Sequence, residues 1–240
     1  MIKKLKALIS ENRENQAFII RQNKELEWAH VYHDSIRGKA YLENLPLNIG
    51  RWAGNYPFFY LLNRIMSDAK PQHILEFGLG ESSKFISSYL QQDLSSRTHQ
   101  IIEHDINWAN AFTNKFKLSE ISKILICPLV IKKINNYDVN CYKGLTDVLR
   151  GTFDFYLIDG PFGSPHYSRY DITFMAERLS SSDDFIIVID DFDRVGEKET
   201  CRALCALFQR KKIKTYTQVY SGLKEVWVLT SPKYRFLTSI

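Results

Sequence analysis

Acidic residues lie within or directly after four short apolar segments of the sequence, and they are the first candidates for catalytic or ligand-binding residues. Glu76 lies in one such segment, Glu103 ends a second, Asp159 follows a third, and Asp190 and Asp191 follow a fourth. If these segments are parallel strands of one sheet, their carboxyl ends meet at the edge where α/β proteins bind ligands. Carboxylates that close repel one another unless a cation or several hydrogen-bond donors lie between them. The acids therefore predict a site for a ligand that is positively charged or rich in donors.

A glycine turn adjoins the first of these acids. Gly78 and Gly80 follow the apolar run 74–77 and precede Ser82 and Ser83 at the start of a helical segment. A strand, a tight glycine turn and a helix N-terminus are typical of the first unit of a nucleotide-binding sheet. An ordinary strand-to-helix turn has the same pattern, so the turn by itself leaves the ligand open.

The residues around the turn favour an adenosine ligand without phosphates over a dinucleotide. Glu103 lies 23 residues beyond Gly80, where it can accept hydrogen bonds from ribose hydroxyls. A pyrophosphate needs an unblocked helix N-terminus and, usually, a third glycine. Ser83 stands in place of that glycine, and Glu81 puts a negative charge at the helix start, which opposes a phosphate. S-adenosylmethionine, with its ribose, adenine and positive sulfonium, suits the site better than the dinucleotide of an NAD-dependent oxidoreductase.

Alternating helical and apolar segments predict the elements that would place these residues. Five strands joined by helices imply a parallel, doubly wound sheet. The last two apolar segments are separated by a turn too short for a parallel connection. The predicted fold is therefore α/β, a Rossmann-like doubly wound sheet of seven strands, mostly parallel with a C-terminal antiparallel hairpin, plus an N-terminal helical arm. The predicted strands are 74–77, 98–103, 123–131, 153–158, 185–189, 214–220 and 225–229.

The chain divides into an N-terminal helical arm or cap, residues 1–49, and a main domain, residues 50–240. Apolar residues such as Leu5 and Leu8 recur at helical spacing up to about residue 45. This arm could form a homodimer, cap the main domain or close over a substrate, and simple packing is the default. Four residues near the start of the main domain either line the ligand cleft or pack beside it: Arg51, Trp52, Asn55 and Tyr56.

The charge, hydropathy and cysteine content of the chain indicate which class of protein it belongs to. The chain has 240 residues and a formal net charge of +5, and its lysine clusters are not interleaved with aromatic residues as a single-strand nucleic-acid groove would be. No run is long enough for a membrane span and no leader peptide is evident, so we expect a cytoplasmic protein. The four cysteines are expected to be buried apolar residues: Cys127, Cys141, Cys201 and Cys205.

Several motifs resemble those of class I S-adenosylmethionine-dependent methyltransferases. The pattern ExGxG at 76–80, the acid that ends the second strand and the closing hairpin carry this resemblance, which covers about residues 50–232. A narrower resemblance is to sugar O-methyltransferases of the glucuronoxylan 4-O-methyltransferase type. It rests on FGLG at 77–80 followed by Ser82 and Ser83, EHD at 103–105 with Trp108, DGPFG at 159–163 with Arg169, and DDFDRVGE at 190–197. Where that type tends to have His-Asp, this chain has Asp190-Asp191, so the resemblance by itself does not assign a catalytic role to Asp190.

The resemblance implies roles in cofactor binding. Glu76, Gly78 and Gly80 would border the methionine moiety, and Ser82 and Ser83 would contact its carboxylate. Glu103 would hold the ribose, Asp105 and the segment around Cys127 would lie near the adenine, and Asp159 would also belong to the cofactor site. It also implies methyl transfer to a hydroxyl of a sugar or polysaccharide precursor. Another small-molecule acceptor, or a non-catalytic module that binds adenosine ligands or partners, is the alternative.

Methyl transfer to a hydroxyl needs a base that removes its proton. Asp159 is the first choice, because its strand is expected beside the glycine turn; it could instead cap the following loop. Asp190, Asp191 and His166 are further candidates, although a lone loop histidine is more often a surface or substrate-binding residue. Substrate contacts are expected from Arg169, Tyr170 and Arg194; the two arginines could equally pair with the aspartates.

A divalent metal is a less favoured alternative. Asp159, Asp190 and Asp191 resemble the oxygen ligands of Mg-dependent catechol-type methyltransferases. Adjacent side chains of an extended segment point in opposite directions, so Asp190 and Asp191 are not expected to share one ion. No metal is therefore the preferred expectation.

Overall fold

The protein is described by a computed structural model that covers residues 2–50, 52–92 and 97–240. The helices are α1 (Ile2–Ile36), α2 (Ala40–Glu43), α3 (Tyr56–Arg64), α4 (Glu81–Leu90), α5 (Ile106–Thr113), α6 (Leu145–Val148), α7 (Asp171–Ala176) and α8 (Val195–Arg210). A π-helical turn, Ile65–Ala69, follows α3, and a 3-10 helix, Pro232–Thr238, lies near the C-terminus. The strands are β1 (His73–Phe77), β2 (Thr98–Glu103), β3 (Ser122–Ile126), β4 (Leu129–Ile134), β5 (Tyr137–Tyr142), β6 (Phe155–Ile158), β7 (Ile186–Ile189), β8 (Tyr216–Ser221) and β9 (Glu225–Thr230).

Seven strands form one mixed sheet in the order β3-β2-β1-β6-β7-β9-β8. Neighbouring strands from β3 to β7 are parallel, and β9 is antiparallel to both β7 and β8. The predicted doubly wound sheet with a closing antiparallel hairpin is confirmed. The order reverses between β1 and β6, which is where such sheets open a ligand cleft at their carboxyl ends.

Helices cover both faces of the sheet because its central strands are apolar on both sides. In β1, Ile74 packs with Phe58 and Phe85 on one face, whereas Leu75 packs with Met175 on the other. This alternation follows from the two-residue period of a strand. Burial on both faces fixes the register of the central strands, and with it the position of each strand end.

A two-stranded ribbon interrupts the alternation and corrects one sequence prediction. The segment 123–131 was expected to be one strand, but β3 ends at Ile126 and the chain after Pro128 forms β4, which pairs antiparallel with β5. Proline lacks the amide that a ladder needs, so it ends the strand. The turn at Asn135 and Asn136, both with positive φ, is the type of hairpin signal that could have revealed the ribbon.

The long helix α1 has two parts. Residues 3–24 are exposed, and contact with the main domain begins at Glu25, which is buried. Trp28 then donates from Nε1 to the Ser221 carbonyl at 3.2 Å. Dimerisation through the exposed part stays a prediction.

No helix among the described residues is long and apolar enough to cross a membrane. Cys127, Cys141 and Cys201 are buried as expected, whereas Cys205 is exposed. Cys201 and Cys205 both lie on α8, and only the first faces the apolar cluster beneath it. A four-residue spacing on a helix therefore did not place both cysteines in the core.

Candidate functional site

A cleft of about 880 Å³ opens at the carboxyl ends of β1, β2, β6 and β7. Its walls come from residues 48–53 apart from residue 51, the glycine turn at 78–80, residues 103–105 after β2, and residues 159–163 after β6. Its size is within the range of small-molecule and cofactor sites. Of the acids that were expected to converge at one edge, Glu103, Asp159 and Asp191 line this cleft, whereas Glu76 and Asp190 are buried behind it.

Two glycine turns meet at the floor of the cleft. Gly78 has φ +93°, and a Cβ placed on it would lie 3.1 Å from the Gly160 nitrogen. A Cβ on Gly160 would lie 2.8 Å from the Gly78 Cα. Trp108 donates from Nε1 to the Leu79 carbonyl at 2.7 Å. The backbones can approach this closely because neither turn carries a side chain there, and the approach brings Asp159 beside the first glycine turn.

Glu103 is fixed at the end of β2 by backbone donors. Its Oε2 accepts from the Leu79 nitrogen at 3.1 Å, and Oε1 accepts from the nitrogens of His104 and Asp105 at 2.6 and 2.8 Å. Asp105 caps α5 by accepting from the nitrogens of Asn107 and Trp108. Backbone amides therefore hold the carboxyl groups of Glu103 and Asp105 in fixed orientations at the edge of the cleft.

Glu76, Ser82 and Ser83 do not line the cleft, which corrects the expectation that they contact a ligand directly. Glu76 is fully buried; Oε1 accepts from Ser82 Oγ at 2.5 Å, and Oε2 lies 2.9 Å from His99 Nε2. Ser83 Oγ accepts from the Gly80 nitrogen at 3.0 Å. Glu76 points to the side of β1 that α4 covers, because strand side chains alternate. These side chains hold the glycine turn from behind.

The carboxylates of Asp159, Asp190 and Asp191 lie together, with ligand-type oxygens within 4.8 Å of one another. The expectation that Asp190 and Asp191 point in opposite directions was wrong. Asp191 has φ +56°, so the chain is no longer extended after Asp190 and the two side chains turn to the same side. A left-handed conformation is uncommon for a residue other than glycine and is often found at functional sites.

Arg169 lies among these acids. Its Nη2 donates to Asp159 Oδ1 at 3.2 Å and to Asp191 Oδ2 at 2.9 Å, while Nη1 donates to the Asp190 carbonyl at 3.0 Å. Arg169 also has positive φ, +60°, and is buried. A planar guanidinium can serve several acceptors at once, which an ammonium cannot do with the same geometry. Arg169 thus pairs with the aspartates, the second of the two roles expected for it.

Lys224 is a member of this site that sequence reasoning missed. It is the last residue of the β8–β9 turn, and its Nζ lies 3.2 Å from Asp191 Oδ1 and 3.7 Å from Asp190 Oδ2. Because β9 is antiparallel to β7, the start of β9 lies at the carboxyl end of β7. Arg194 adds a third cation, with Nη1 3.0 Å from Asp191 Oδ2. No local sequence signal distinguishes this lysine from any other hairpin lysine.

The three aspartates differ in acidity. Burial, and then the neighbouring Asp190 carboxylate, raise the pKa of Asp159 to about 8 against the opposing effect of Arg169. Burial also raises the pKa of Asp190, whose carboxylate oxygens accept no hydrogen bond from the described residues. Burial acts in the same direction on Asp191, but Arg169, Lys224 and Arg194 lower its pKa below the ordinary value. Of the three, Asp159 combines access to the cleft with a pKa near neutrality.

The surroundings of the aspartates do not suit a divalent cation. Arg169 and Lys224 already supply positive charge to Asp159, Asp190 and Asp191 at hydrogen-bond or ion-pair distance. A metal would have to displace these cations from the same oxygens. The three carboxyl groups therefore suit an ion-pair network with Arg169 and Lys224 better than a metal site.

His166 and Tyr170 lie outside the cleft wall, so the structure does not bring them together with the other candidate catalytic and substrate-binding residues. His166 Nδ1 is 3.0 Å from Glu199 Oε1, and its ring stacks on Tyr137 with centroids 3.9 Å apart. Tyr170 packs edge-on against Tyr167. The His166 side chain therefore contacts α8 and the β4–β5 ribbon. Arg169 and Arg194 line the cleft.

Two exposed aromatic side chains stand at the cleft mouth. Trp52 is 97% exposed and Phe162 is 71% exposed, and both belong to the cleft wall. Asn55, expected either to line the cleft or to pack, packs: its Nδ2 donates to Glu25 Oε2 at 3.0 Å. Tyr56 also lies away from this wall, and Arg51 lies outside the described residues.

Among known proteins, similarity to this chain is found in solved structures. No protein-family model and no curated protein sequence matches the chain. Among solved structures, the chain is similar to the O-methyltransferase TomG of Streptomyces achromogenes, which is involved in tomaymycin synthesis and was solved in complex with SAM. That match has 14% identity, covers 80% of this chain and 85% of that chain, and has a TM-score of 0.52. A candidate O-methyltransferase from Klebsiella pneumoniae matches at 15% identity over 86% of this chain and 98% of that chain, with a TM-score of 0.50. At sequence identities this low, the similarity shows a shared fold alone.

Proposed function

We propose that the protein is an S-adenosylmethionine-dependent O-methyltransferase. The observation that carries the proposal is the charge and construction of the cleft. Its wall contains five carboxyl groups, from Glu81, Glu103, Asp105, Asp159 and Asp191, against two guanidinium groups. Because its pKa is about 8, Asp159 adds no charge to this excess at neutral pH. An excess of negative charge at the switch point of a Rossmann-like sheet favours a cationic nucleoside and opposes a phosphorylated one. The SAM bound to the Streptomyces enzyme of the same fold supports this cofactor.

In this proposal the glycine turn and the end of β2 hold the cofactor. Gly78 and Gly80 leave room for the methionine part, Glu103 accepts from the ribose hydroxyls, and Asp105 lies toward the adenine. Glu103 is suited to this role because three backbone amides already orient its carboxylate. Glu81 lies at the start of α4, where its Oε2 accepts from the Asn48 nitrogen at 3.1 Å. A carboxylate there is unfavourable for the phosphates of a dinucleotide.

The chain's own contribution to methyl transfer is to position a hydroxyl and to take its proton. The cofactor supplies an electrophilic methyl group when it is bound. Asp159 is the proposed base, because it lies in the cleft wall and its pKa of about 8 lets it hold a proton reversibly near neutral pH. Arg169, within 3.2 Å of Asp159 Oδ1, orients that carboxylate and is a positioning residue.

For the acceptor we propose a hydroxyl of a sugar or polysaccharide precursor. The motif resemblance at 103–105, 159–163 and 190–197 supports this class, as do the exposed rings of Trp52 and Phe162 at the mouth. A small molecule of another kind is the alternative within enzymes. A module that binds an adenosine ligand without turnover is the alternative outside them.

Two measurements test the proposal. Calorimetry with S-adenosylmethionine, S-adenosylhomocysteine and NADH should show binding of the first two and none of the third. Transfer of labelled methyl groups to a panel of glycans and small alcohols should then identify the acceptor class. Failure of folded protein to bind either adenosyl compound would refute the proposal, and NADH binding in their place would favour an oxidoreductase. Tight binding without transfer to any acceptor would favour the non-catalytic module.

A further inference from the structure

A second cavity, of about 600 Å³, lies between the C-terminal part of α1, the short helix α2 and the segment that leads to α3. Tyr32 and His33 from α1 and Tyr56 from α3 form one part of its wall, and Leu45 and Leu47 form another. The volume is sufficient for a small ligand. Neither the cofactor site nor the acidic cluster uses these residues.

This second cavity adjoins the cleft. Asn48 and Ile49 belong to the walls of both. The Asn48 nitrogen donates to Glu81 Oε2 at 3.1 Å, which ties residues 45–50 to the start of α4 between the two spaces. A molecule whose reacting hydroxyl is in the cleft could therefore extend along residues 48 and 49 into the second cavity.

The two spaces differ in chemistry. The rings of Tyr32, His33 and Tyr56 form a cluster with centroids 5.3 to 5.9 Å apart. Arg37 and Glu43 lie at the exposed side of the cavity and have opposite charges. Arg37 Nη2 donates to Asp34 Oδ1 at 2.5 Å, and Glu43 Oε1 accepts from the Gly38 nitrogen at 3.0 Å, so a ligand would use the other guanidinium donors and the second carboxylate oxygen. The second cavity is therefore neutral overall, whereas the cleft has an excess of carboxylates. Ring surfaces together with a charged donor and a charged acceptor suit a neutral ring that carries hydroxyl groups.

We propose that the second cavity binds the part of the acceptor that is not methylated, and that this part is a neutral sugar ring. The acceptor then spans at least two rings, one with its reacting hydroxyl near Asp159 and one against His33 and Tyr56. Binding energy from the remote ring positions the reacting hydroxyl against the base. This inference rests on the proposed methyltransferase function and adds the size and charge of the acceptor.

The test uses the full chain saturated with S-adenosylhomocysteine, and cellobiose, xylobiose and glucose as probes in saturation-transfer NMR titrations. Both disaccharides should bind more tightly than glucose. His33→Ala and Arg37→Ala should each weaken disaccharide binding about fivefold, the change that about 1 kcal/mol per contact implies. The matched controls are His30→Ala and Arg21→Ala, which change exposed residues of the same helix away from the cavity.

The outcomes separate this inference from the proposed function. If S-adenosylhomocysteine binds but the disaccharides do not, or if the control variants weaken them equally, the second-cavity inference is wrong and the methyltransferase proposal stands. If S-adenosylhomocysteine itself fails to bind, both the second-cavity inference and the methyltransferase proposal are refuted. Thermal unfolding of each variant shows that the fold is retained; loss of disaccharide preference in a folded His33→Ala protein, with His30→Ala unchanged, supports the inference.

Discussion

The contact between the two glycine turns leads to a sharp prediction about stability. Gly78→Ala would add a methyl group at φ +93°, 3.1 Å from the Gly160 nitrogen and 3.2 Å from the Asp159 carbonyl group. Both neighbours are backbone atoms at the ends of buried strands, so they cannot move aside as a flexible side chain could. Gly80→Ala is the matched control, because an added Cβ meets no described atom within 4 Å and φ of −168° suits any residue.

The expected cost follows from two contributions. A left-handed conformation costs an alanine about 1–2 kcal/mol, and the forced contact with backbone adds about 1–3 kcal/mol, as overpacking does elsewhere. Gly78→Ala should therefore lower the free energy of unfolding by about 3 kcal/mol. For a chain of this length that corresponds to a fall in Tm of about 6–12 °C. Gly80→Ala should change the free energy of unfolding by less than about 1 kcal/mol.

Thermal and urea unfolding of the three proteins, followed by circular dichroism, would measure these differences. The reasoning would be refuted if Gly78→Ala unfolded within about 2 °C of the parent protein, which is less than 1 kcal/mol predicts. It would equally fail if Gly80→Ala lost as much stability as Gly78→Ala. Gly160→Ala, whose Cβ would lie 2.8 Å from the Gly78 Cα, should resemble Gly78→Ala.

Three further predictions concern binding and turnover. Glu103→Gln should weaken S-adenosylhomocysteine binding in calorimetry at least about tenfold, because hydrogen bonds to a charged group contribute about 1.5–3 kcal/mol; Glu120→Gln, an exposed control, should leave affinity unchanged. The rate of methyl transfer should rise with pH and level off above about 8, because Asp159 acts as a base only after losing its proton; a pH–rate profile of Asp159→Asn that keeps this rise would count against the assignment. His166→Ala should retain turnover within about twofold in the same assay, since the ring lies outside the cleft; a larger loss would return His166 to the site.

The closing hairpin and the strand ends could be predicted because their signals are local. A short turn forbids a parallel connection, and apolar runs that end in Glu103 or Asp159 place those acids at one edge of a parallel sheet. The β4–β5 ribbon was missed because the apolar run 123–131 continues on both sides of Pro128, and apolar character alone does not show that the proline separates two strands. The direction of Glu76 was missed for a different reason: a strand pattern with both faces buried does not show which face carries the ligand.

The sequence by itself determined the class of fold, the glycine turn and the set of acids, because strand periodicity and glycine geometry act over a few neighbouring residues. Only the tertiary structure decided which positively charged side chains pair with those acids. Asp191 meets Lys224 only because β9 runs antiparallel beside β7, and Glu25 accepts from the Leu223 nitrogen across 198 residues of chain. The same long-range packing places α1 against the strand ends and creates the second cavity. Electrostatic interactions of this kind depend on distances in space, and the pattern of residues along the chain does not show those distances.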